Sequence, residues 1–192
     1  MSKMDKHPDY KSSMFHSSKS AGMIYTLDQY IDEFVNIDDI SKELSDKYRK
    51  YKYYSKVELK KEIADDISAI LEKNNTLFSK CNCIVPVPSH NFNYIVKLIA
   101  PIINLRYIDA LQKNRSFKMK KIEPISTRKS ETGFISCNYT FDADDYILLI
   151  DDFVDSGTTF RECIQSIRKT NPNVGIVCIS IFRTEKTQVE LE

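Results

Sequence analysis

The sequence predicts an α/β fold in which a parallel sheet is flanked by helices and preceded by a helical N-terminal extension. From residue 76 onward, short apolar runs typical of strands alternate with segments whose apolar residues recur at helical spacing. Over 21–75 only the helical spacing recurs. Hydrophobic residues make up 42% of the 192 residues, enough for a packed core. We therefore predict a disordered tail over 1–20, a helical N-terminal region over 21–75 and an α/β core over 76–192.

Three helices are predicted in the N-terminal region from apolar residues at three- and four-residue spacing. A short amphipathic helix covers 27–36. A second covers 38–50, with Asp38 and Asp39 near its start, where carboxylates interact favourably with the helix dipole. The third, over 57–72, has the most regular pattern. Its apolar face consists of Leu59, Ile63, Ile67, Ile70 and Leu71.

An aromatic and basic stretch around the end of the second helix admits two interpretations. It contains Tyr48, Tyr51, Tyr53 and Tyr54, interleaved with Arg49, Lys50 and Lys52. Such residues can stack on bases and contact phosphates, as in a nucleic-acid surface. The formal net charge of the chain is only +1, however, so a globally basic nucleic-acid binder is disfavoured. We favour tyrosines that are partly packed on the core, with the lysines in solvent.

The α/β core is predicted to begin with a strand over Cys83–Val87. Pro86 has no N–H to donate, so this strand should lie at a sheet edge or end there. Because strands alternate with helices, the sheet should be parallel, with ligands beyond the carboxyl ends of its strands. The later elements are a helix marked by Ile95, Leu98, Ile99 and Ile102, a strand over Leu105–Leu111, a strand over Ile147–Ile150, a helix over 159–169 and a strand over Val174–Phe182.

Composition argues against several classes of protein. No apolar stretch reaches the length of a membrane span, and the N-terminus lacks the apolar core of a secretory signal, so we expect a cytoplasmic protein without a membrane partner. The five cysteines are odd in number and are expected to be reduced. Cys81 and Cys83 form a C-x-C pair without a nearby histidine or a second pair, which is too few ligands for zinc.

Residues 146–160 carry the strongest functional signal in the chain. Ile147–Ile150 form an apolar run fit for a strand buried on both faces, and Asp151, Asp152 and a hydroxyl-rich loop follow before a helix begins. Helix N-termini bind phosphate through free N–H groups and the helix dipole. Adjacent carboxylates accept hydrogen bonds from paired hydroxyls such as those of a ribose. The segment therefore predicts a sugar-phosphate site; the alternative is that the acids only end a strand and Asp155 only caps the helix.

Over 147–159 the chain resembles the phosphoribosyl-pyrophosphate (PRPP) motif of the type I phosphoribosyltransferases. The shared pattern is a hydrophobic strand, two acids, two apolar residues and a small/hydroxyl/glycine/hydroxyl loop. Phe153 departs from it, because an aliphatic residue is usual at that position. The resemblance implies a parallel sheet of that family's type. It also implies a Mg²⁺-dependent reaction in which PRPP delivers its phosphoribosyl group to a nitrogen acceptor and pyrophosphate leaves.

The resemblance further implies roles for the residues of the motif. Asp151 and Asp152 would hold the ribose 2′ and 3′ hydroxyls, and Asp155 would lie near the anomeric carbon and the incoming base. These three acids are the candidate catalytic residues. Mg²⁺ would be held by PRPP, with water bridging it to the acid pair, and not by direct protein ligands. The 5′-phosphate would be cradled by the loop residues Asp155, Ser156, Gly157, Thr158 and Thr159.

A second matching segment, Val85-Pro86-Val87-Pro88-Ser89-His90, follows the first core strand. It is similar to a stretch of the competence-associated ComF branch of the same family, and the similarity implies that residues 88–90 contribute to the pyrophosphate side of the site. A proline-containing turn can aim N–H groups at an anion, and His90 can add a hydrogen bond or a charge. A turn histidine with a structural partner is an equal alternative. The zinc module that ComF proteins often carry is missing, because no cysteine precedes Cys81.

The segment 112–131 is strongly basic, with seven lysines and arginines against two glutamates. A long loop without sustained periodicity in a compact domain is usually functional or disordered. Type I phosphoribosyltransferases have a mobile hood in this place, which closes over the pyrophosphate. The resemblance therefore implies that some of these cations bind the leaving group, and Arg115, Lys118 and Arg128 are the candidates. The alternative is a solvated basic loop.

The leading prediction is a phosphoribosyltransferase whose partners are PRPP and a small-molecule acceptor, with residues 21–60 as the candidate hood over the base. A non-catalytic PRPP-binding regulator, associated with protein or nucleic acid, is the first alternative, because no base-specificity segment is recognisable. A phosphatase or nucleotide hydrolase ranks lower, since neither a Gly-x-x-x-x-Gly-Lys loop nor a cysteine–arginine phosphatase signature occurs. The sequence leaves a homo-oligomer open.

Overall fold

The fold is given by a computed structural model that describes residues 32–36, 42–54, 56–114, 133–154 and 158–183. Predictions that concern 1–20, the loop 155–157 or the segment 115–132 lie outside the described residues. No helix in the described ranges is long and apolar enough to cross a membrane.

Seven strands occur in the described part of the chain. They are β1 (Asp32–Asn36), β2 (Cys83–Pro86), β3 (Arg106–Tyr107), β4 (Leu111–Lys113), β5 (Ile135–Cys137), β6 (Tyr146–Val154) and β7 (Gly175–Arg183). Five of them form a parallel sheet in the order β1-β7-β6-β2-β3, and β4 pairs with β5 in a separate antiparallel ribbon. The predicted α/β fold with a parallel sheet is thus confirmed. The nine-residue strand β6 runs through the centre, where apolar side chains on both faces are buried.

Helices cover both faces of the sheet. They are α1 (Lys42–Tyr54), α2 (Lys60–Lys73), α3 (His90–Ile102) and α4 (Thr158–Thr170), and short 3₁₀ turns cover Val57–Leu59 and Asn75–Phe78. Residues of α1, α2 and α3 join one apolar cluster with Leu148 and Ile150 of β6. Residues of α4 and of the β4–β5 ribbon join a second cluster with Ile147 and Leu149. This division follows from strand geometry, because successive side chains of a strand point to opposite faces.

The N-terminal region is less helical than predicted. The helix expected over 27–36 is wrong for 32–36, which form strand β1 and pair in parallel with β7. This strand lies inside the range 21–75 but belongs to the sheet of the core. The helix predicted over 38–50 is α1, which extends to Tyr54. The third predicted helix is α2, and its expected apolar face is buried at Ile63, Ile67 and Leu71.

The strand predicted over Leu105–Leu111 is wrong as a single element. β3 ends at Tyr107, and the N–H of Ile108 makes a last hydrogen bond to the carbonyl of Ile84 at 3.0 Å. The chain then leaves the main sheet, and β4 pairs with β5 instead. An apolar run predicts burial, but it does not reveal that its first part pairs with one strand and its last part with another.

Pro86 is the last residue of β2, so the predicted end of the strand at this proline is confirmed. The alternative, a strand at the sheet edge, is wrong, because β2 lies between β6 and β3. Main-chain pairing resumes one residue later, where the N–H of Val87 donates to the carbonyl of Ile150 at 2.8 Å. The missing donor of proline is therefore accommodated at the very end of the ladder.

β6 is longer than predicted. Its pairing with β7 continues past Ile150 through Asp151 opposite Ser180 to Val154 opposite Arg183. The acid pair therefore occupies the sixth and seventh residues of the nine-residue strand and does not lie beyond its end, which determines where the two carboxylates can point.

Candidate functional site

The candidate site lies at the carboxyl edge of the sheet, where β6 approaches α4. Asp151 and Asp152 occupy the central strand close to this edge, and α4 begins at Thr158 after the undescribed residues 155–157. In parallel sheets this edge is where ligands bind. The structure therefore places the acid pair near the predicted edge, but within the strand and not after its end.

The two carboxylates diverge because they are neighbours on a strand. Asp152 has the register of Leu148 and Ile150, on the face covered by α1, whereas Asp151 has the register of Ile147 and Leu149, on the face covered by α4. Both are almost fully buried, at 7% exposure for Asp151 and 6% for Asp152. Two buried carboxylates that are one residue apart need strong compensation.

Asp152 receives that compensation mainly from α1. Its Oδ2 accepts a hydrogen bond from the Tyr48 hydroxyl at 2.6 Å, and the Lys52 ammonium pairs with the same oxygen. Its Oδ1 accepts from the N–H of Phe153 at 2.9 Å. Tyr48 and Lys52 are four residues apart, so one face of α1 presents both. The carboxylate thus has a cation, a hydroxyl and an amide as donors.

Aromatic rings hold this contact in place. The Tyr48 ring stacks on Phe182 at a centroid distance of 4.6 Å and meets Phe92 edge-on at 6.1 Å. Phe153, the residue that departs from the motif, packs on both Tyr48 and Phe182. Its ring also lies 4.8 Å from the Lys52 nitrogen, a cation–π distance. The bulk of Phe153 therefore serves the packing of α1 on β6.

The pKa values of the two acids move in opposite directions. Burial, together with the neighbouring charge of Asp152, raises the pKa of Asp151 well above its ordinary 3.8. Burial opposes ionisation of Asp152 as well, but the charge of Lys52 and the hydrogen bonds from Lys52 and Tyr48 outweigh it and lower its pKa. Burial and the Asp152 charge also raise the pKa of the Tyr48 hydroxyl, which therefore stays protonated and donating. The opposed shifts of the two pKa values favour Asp152 as the acid that carries the negative charge of the pair.

Replacing Asp151 by asparagine should remove a pH-dependent loss of stability. Between the ordinary pKa of 3.8 and its raised folded value, the folded protein holds a proton that the unfolded chain releases, so stability falls as the pH rises through this window. The amide of the asparagine variant cannot ionise. We expect Asp151→Asn to raise the melting temperature at neutral pH and to change it little near about pH 3, where the acid is largely protonated in both states.

Calorimetric melting of both proteins across this pH range measures the effect. The exposed Asp144→Asn replacement is the control and should follow the wild type throughout. If the melting temperatures of the wild type and Asp151→Asn fell in parallel with rising pH, the loss of stability would not be caused by Asp151.

The proline turn lies beside the acid pair, because β2 and β6 are neighbours in the sheet. Ser89 caps α3: its hydroxyl accepts from the N–H of Phe92 at 3.5 Å, and its own N–H donates to Asn93 Oδ1 at 3.0 Å. His90 is exposed and meets the Tyr94 ring edge-on at 5.8 Å. Ser89 therefore already has a capping role, and His90 has a structural contact while remaining open to solvent.

The basic segment leaves and rejoins the fold at adjacent points. The N–H of Asn114 donates to the carbonyl of Phe134 at 2.9 Å, and the N–H of Gly133 donates to the buried carboxylate of Glu162 on α4 at 2.7 Å. The segment is thereby attached to the helix that begins at the candidate site. Arg115, Lys118 and Arg128 lie outside the described residues.

Several other predicted residues also have no described side chain. Asp155, Ser156 and Gly157 lie outside the described residues, and Thr158 is placed only as the first residue of α4. Thr159 lies in the first turn of α4 and is partly buried. Within the described ranges, no three histidines, cysteines, aspartates or glutamates are grouped as metal ligands.

Sequence reasoning missed Tyr48 and Lys52 as site residues. The favoured interpretation of their stretch is correct for Tyr48 and Tyr51, which are buried, while Tyr53 and Tyr54 are exposed. It is wrong for Lys52, which pairs with Asp152. The available signal was the four-residue spacing, but the partner lies 100 residues away in sequence.

No family model and no curated protein matches the sequence. Among solved structures, the chain is similar to the xanthine-guanine-hypoxanthine phosphoribosyltransferase of Helicobacter pylori, with 16% identity and a TM-score of 0.47 over 66% of this chain and 75% of that one. A purine phosphoribosyltransferase of Pyrococcus horikoshii is 19% identical, with a TM-score of 0.40 over 64% of this chain and 84% of that one.

A hypoxanthine phosphoribosyltransferase of Staphylococcus aureus is 12% identical, with a TM-score of 0.40 over 70% of this chain and 69% of that one. At these TM-scores the similarities carry no argument about activity, which must therefore be inferred from the chain's own residues.

Proposed function

We propose that this protein is a phosphoribosyltransferase that uses PRPP and Mg²⁺, transfers the phosphoribosyl group to a nitrogen acceptor and releases pyrophosphate. The observation that carries the proposal is the position of Asp151 and Asp152. They lie in the carboxyl half of the central parallel strand, two residues before the hydroxyl-rich loop 155–159 that leads into α4. Paired acids followed by a helix N-terminus suit a ribose with a phosphate attached to it.

Each part of the motif has a proposed task. The acid pair accepts hydrogen bonds from the ribose hydroxyls, and the loop 155–159 with the N-terminus of α4 binds the 5′-phosphate. Positive charge develops on the ribose ring as pyrophosphate leaves, and the Asp152 carboxylate, with Asp155 as a second candidate, stabilises it. Binding in this geometry holds the anomeric carbon beside the acceptor nitrogen, which lowers the entropic part of the barrier.

The pyrophosphate side is proposed to be formed by the proline turn and the basic segment. Ser89 and His90 stand at the N-terminus of α3, which follows β2, the strand next to β6, so the helix dipole adds to any contact with an anion. Arg115, Lys118 and Arg128 remain the proposed cations for the leaving group. This arrangement is also the basis for proposing the ComF branch, through the segment 85–90.

Mg²⁺ fits the chemistry of the acid pair, since it prefers oxygen ligands and usually keeps several waters. The carboxylates of Asp151 and Asp152 would hold it through such waters, and the ion would supply charge neutralisation to the pyrophosphate. A cytoplasmic location is proposed as well, and is supported by the five cysteines, all of which are free thiols.

One observation favours a second candidate function, a regulator that binds PRPP without turning it over. Asp152 is almost fully buried and already bonded to Tyr48 and Lys52, an arrangement suited to tight holding of a ligand. Release of pyrophosphate distinguishes the two functions. The protein is incubated with Mg-PRPP and each of a panel of nucleobases, and pyrophosphate is quantified.

Binding is measured in parallel by thermal shift with Mg-PRPP, because a ligand of the folded state raises the melting temperature. Pyrophosphate release with one or more bases supports the transferase. Binding without release with any base supports the regulator. Failure of Mg-PRPP to raise the melting temperature at millimolar concentration would contradict both.

A further inference from the structure

Helix α1 reaches the acid pair from outside the central strands of the sheet. The Tyr48 hydroxyl and the Lys52 ammonium both contact Oδ2 of Asp152, which lies 104 and 100 residues further along the chain. Of the Lys52 side chain, 25% is exposed, against 8% for that of Asp152, so the pair is shielded from water on the carboxylate side. Such shielding strengthens the Coulomb attraction between the two charges, whereas the attraction within an ion pair at the surface is weakened by water.

The contact is preorganised, because neighbouring aromatic rings hold both donor side chains in position. Phe92, Phe153 and Phe182 pack around the Tyr48 ring, which leaves its hydroxyl aimed at Asp152. The Lys52 nitrogen lies over the Phe153 ring at 4.8 Å and near the Tyr48 ring at 5.7 Å. Neither donor needs to be ordered when a ligand arrives, so the entropic cost of positioning them is met on folding.

The pair of acids is asymmetric as a result. Asp152 has three donors from three residues, whereas Oδ1 of Asp151, on the other side of the strand, accepts the N–H of Asp152 at 2.8 Å. Two carboxylates this close do not both ionise easily in a buried site. The cation of α1 therefore decides which of them is charged.

We propose that Tyr48 and Lys52 are positioning residues of the acid pair, which place its negative charge on Asp152 and fix that carboxylate to accept a ribose hydroxyl of the ligand. The proposal rests on the proposed PRPP site and adds to it the two α1 side chains. The opposed pKa directions of Asp151 and Asp152 agree with the geometry.

The titratable groups near Asp152 determine how a change in the titration of its carboxylate can be interpreted. The titratable groups that act on it are Tyr48 and Lys52 of α1 and Asp151 of its own strand. From α3 and β7, Phe92 and Phe182 pack on the Tyr48 ring and do not titrate. A shift in the titration of Asp152 after a change at position 52 therefore reports on the removed cation.

The test measures binding of Mg-PRPP by calorimetry across a pH series, with the full chain and its variants. Removing the cation by Lys52→Met should protonate Asp152 more easily. We expect affinity near neutral pH to fall about tenfold or more, as for the loss of a charged hydrogen bond, and to recover as the pH rises. Lys52→Arg keeps the charge and should retain most of the affinity. Tyr48→Phe should lower the affinity less than Lys52→Met does, because it removes only a neutral donor.

Matched controls lie on the same helix. Lys50→Met removes an equal charge from an exposed position of α1, and Tyr51→Phe removes a hydroxyl that donates to the carbonyl of Asn91 and not to Asp152. Both should bind as the wild type does. A tighter complex for Lys52→Met, or an equal loss for Lys52→Arg and Lys52→Met without recovery at high pH, would overturn the proposal.

A readout without ligand separates this inference from the proposed function. The side-chain carboxyl carbon of Asp152, followed by NMR over pH, should titrate higher in Lys52→Met than in the wild type, with no shift in Lys50→Met. An unchanged titration overturns the positioning role even if PRPP binds. If the titration of Asp152 shifts but the protein does not bind PRPP, the assignment of the negative charge to Asp152 stands and PRPP is rejected as the ligand.

Discussion

Replacing both Asp151 and Asp152 by asparagine is expected to lower the affinity for Mg-PRPP by about a hundredfold or more, while the protein stays folded. The estimate follows from the loss of one charged acceptor, Asp152, whose bond to a ribose hydroxyl contributes about 1.5–3 kcal/mol, and one neutral acceptor, Asp151, whose bond contributes about 0.5–1.5 kcal/mol. The single carbonyl oxygen of asparagine can still accept from the Tyr48 hydroxyl, and the rings of Phe92 and Phe182 still hold Tyr48, so the local packing can survive. Titration calorimetry with Mg-PRPP measures the effect, and circular dichroism checks the fold.

The chain offers a matched control in the adjacent acids Asp65 and Asp66 of α2. These form surface ion pairs with Lys61 and Lys47, and their replacement by asparagine likewise converts two adjacent carboxyl groups into amides. We expect this control to bind Mg-PRPP with unchanged affinity. Equal binding by the Asp151/Asp152 double variant and the wild type would remove the acid pair from the site.

The largest expected loss of stability comes from Leu148→Ala. Leu148 has no exposed surface and lies in the central strand, inside the cluster that β6 forms with α1, α2 and α3. Removing its isobutyl group loses apolar burial and leaves a cavity between rigid elements, which lowers the free energy of unfolding by about 2–5 kcal/mol. Urea denaturation of the wild type and the variant measures the difference.

Leu98→Ala is the control for this variant. Leu98 lies on α3 and is 40% exposed, so the same truncation there removes less burial and leaves no enclosed cavity. We expect its effect to stay within about 1 kcal/mol. Similar losses of unfolding free energy for both variants would mean that the residues around β6 move to fill the space left by Leu148, contrary to a tightly packed core.

Much of the fold is predictable because local patterns determine it. The continuous apolar run of Ile147–Ile150 identifies the central strand, and the regular spacing of Ile63, Ile67 and Leu71 identifies α2. The acid pair is found for the same reason, since its position directly after an apolar run is a local property of the sequence. These features require only the residues that lie next to them in sequence.

The errors concern contacts between distant residues. Periodicity predicts helix over 32–36, and the segment forms a strand because β7 offers an open edge. The split between β3 and β4 depends on which partners the chain finds after Tyr107. Lys52 is predicted to lie in solvent, because nothing in its neighbourhood indicates that α1 folds over Asp152. Where tertiary pairing decides, periodicity alone is insufficient.

The pairing of β1 with β7 has a consequence for how the protein is made. Asp32 pairs with Ile176, so an edge strand of the sheet joins a strand near the other end of the described chain. During synthesis β1 leaves the ribosome early and waits, without its partner, until β7 has emerged. Parallel pairing between strands so far apart in sequence is slow, because the long intervening chain loses conformational entropy before the two strands can form their hydrogen bonds. The sheet is therefore expected to be completed after translation, with β1 added last to an α/β core that has already formed.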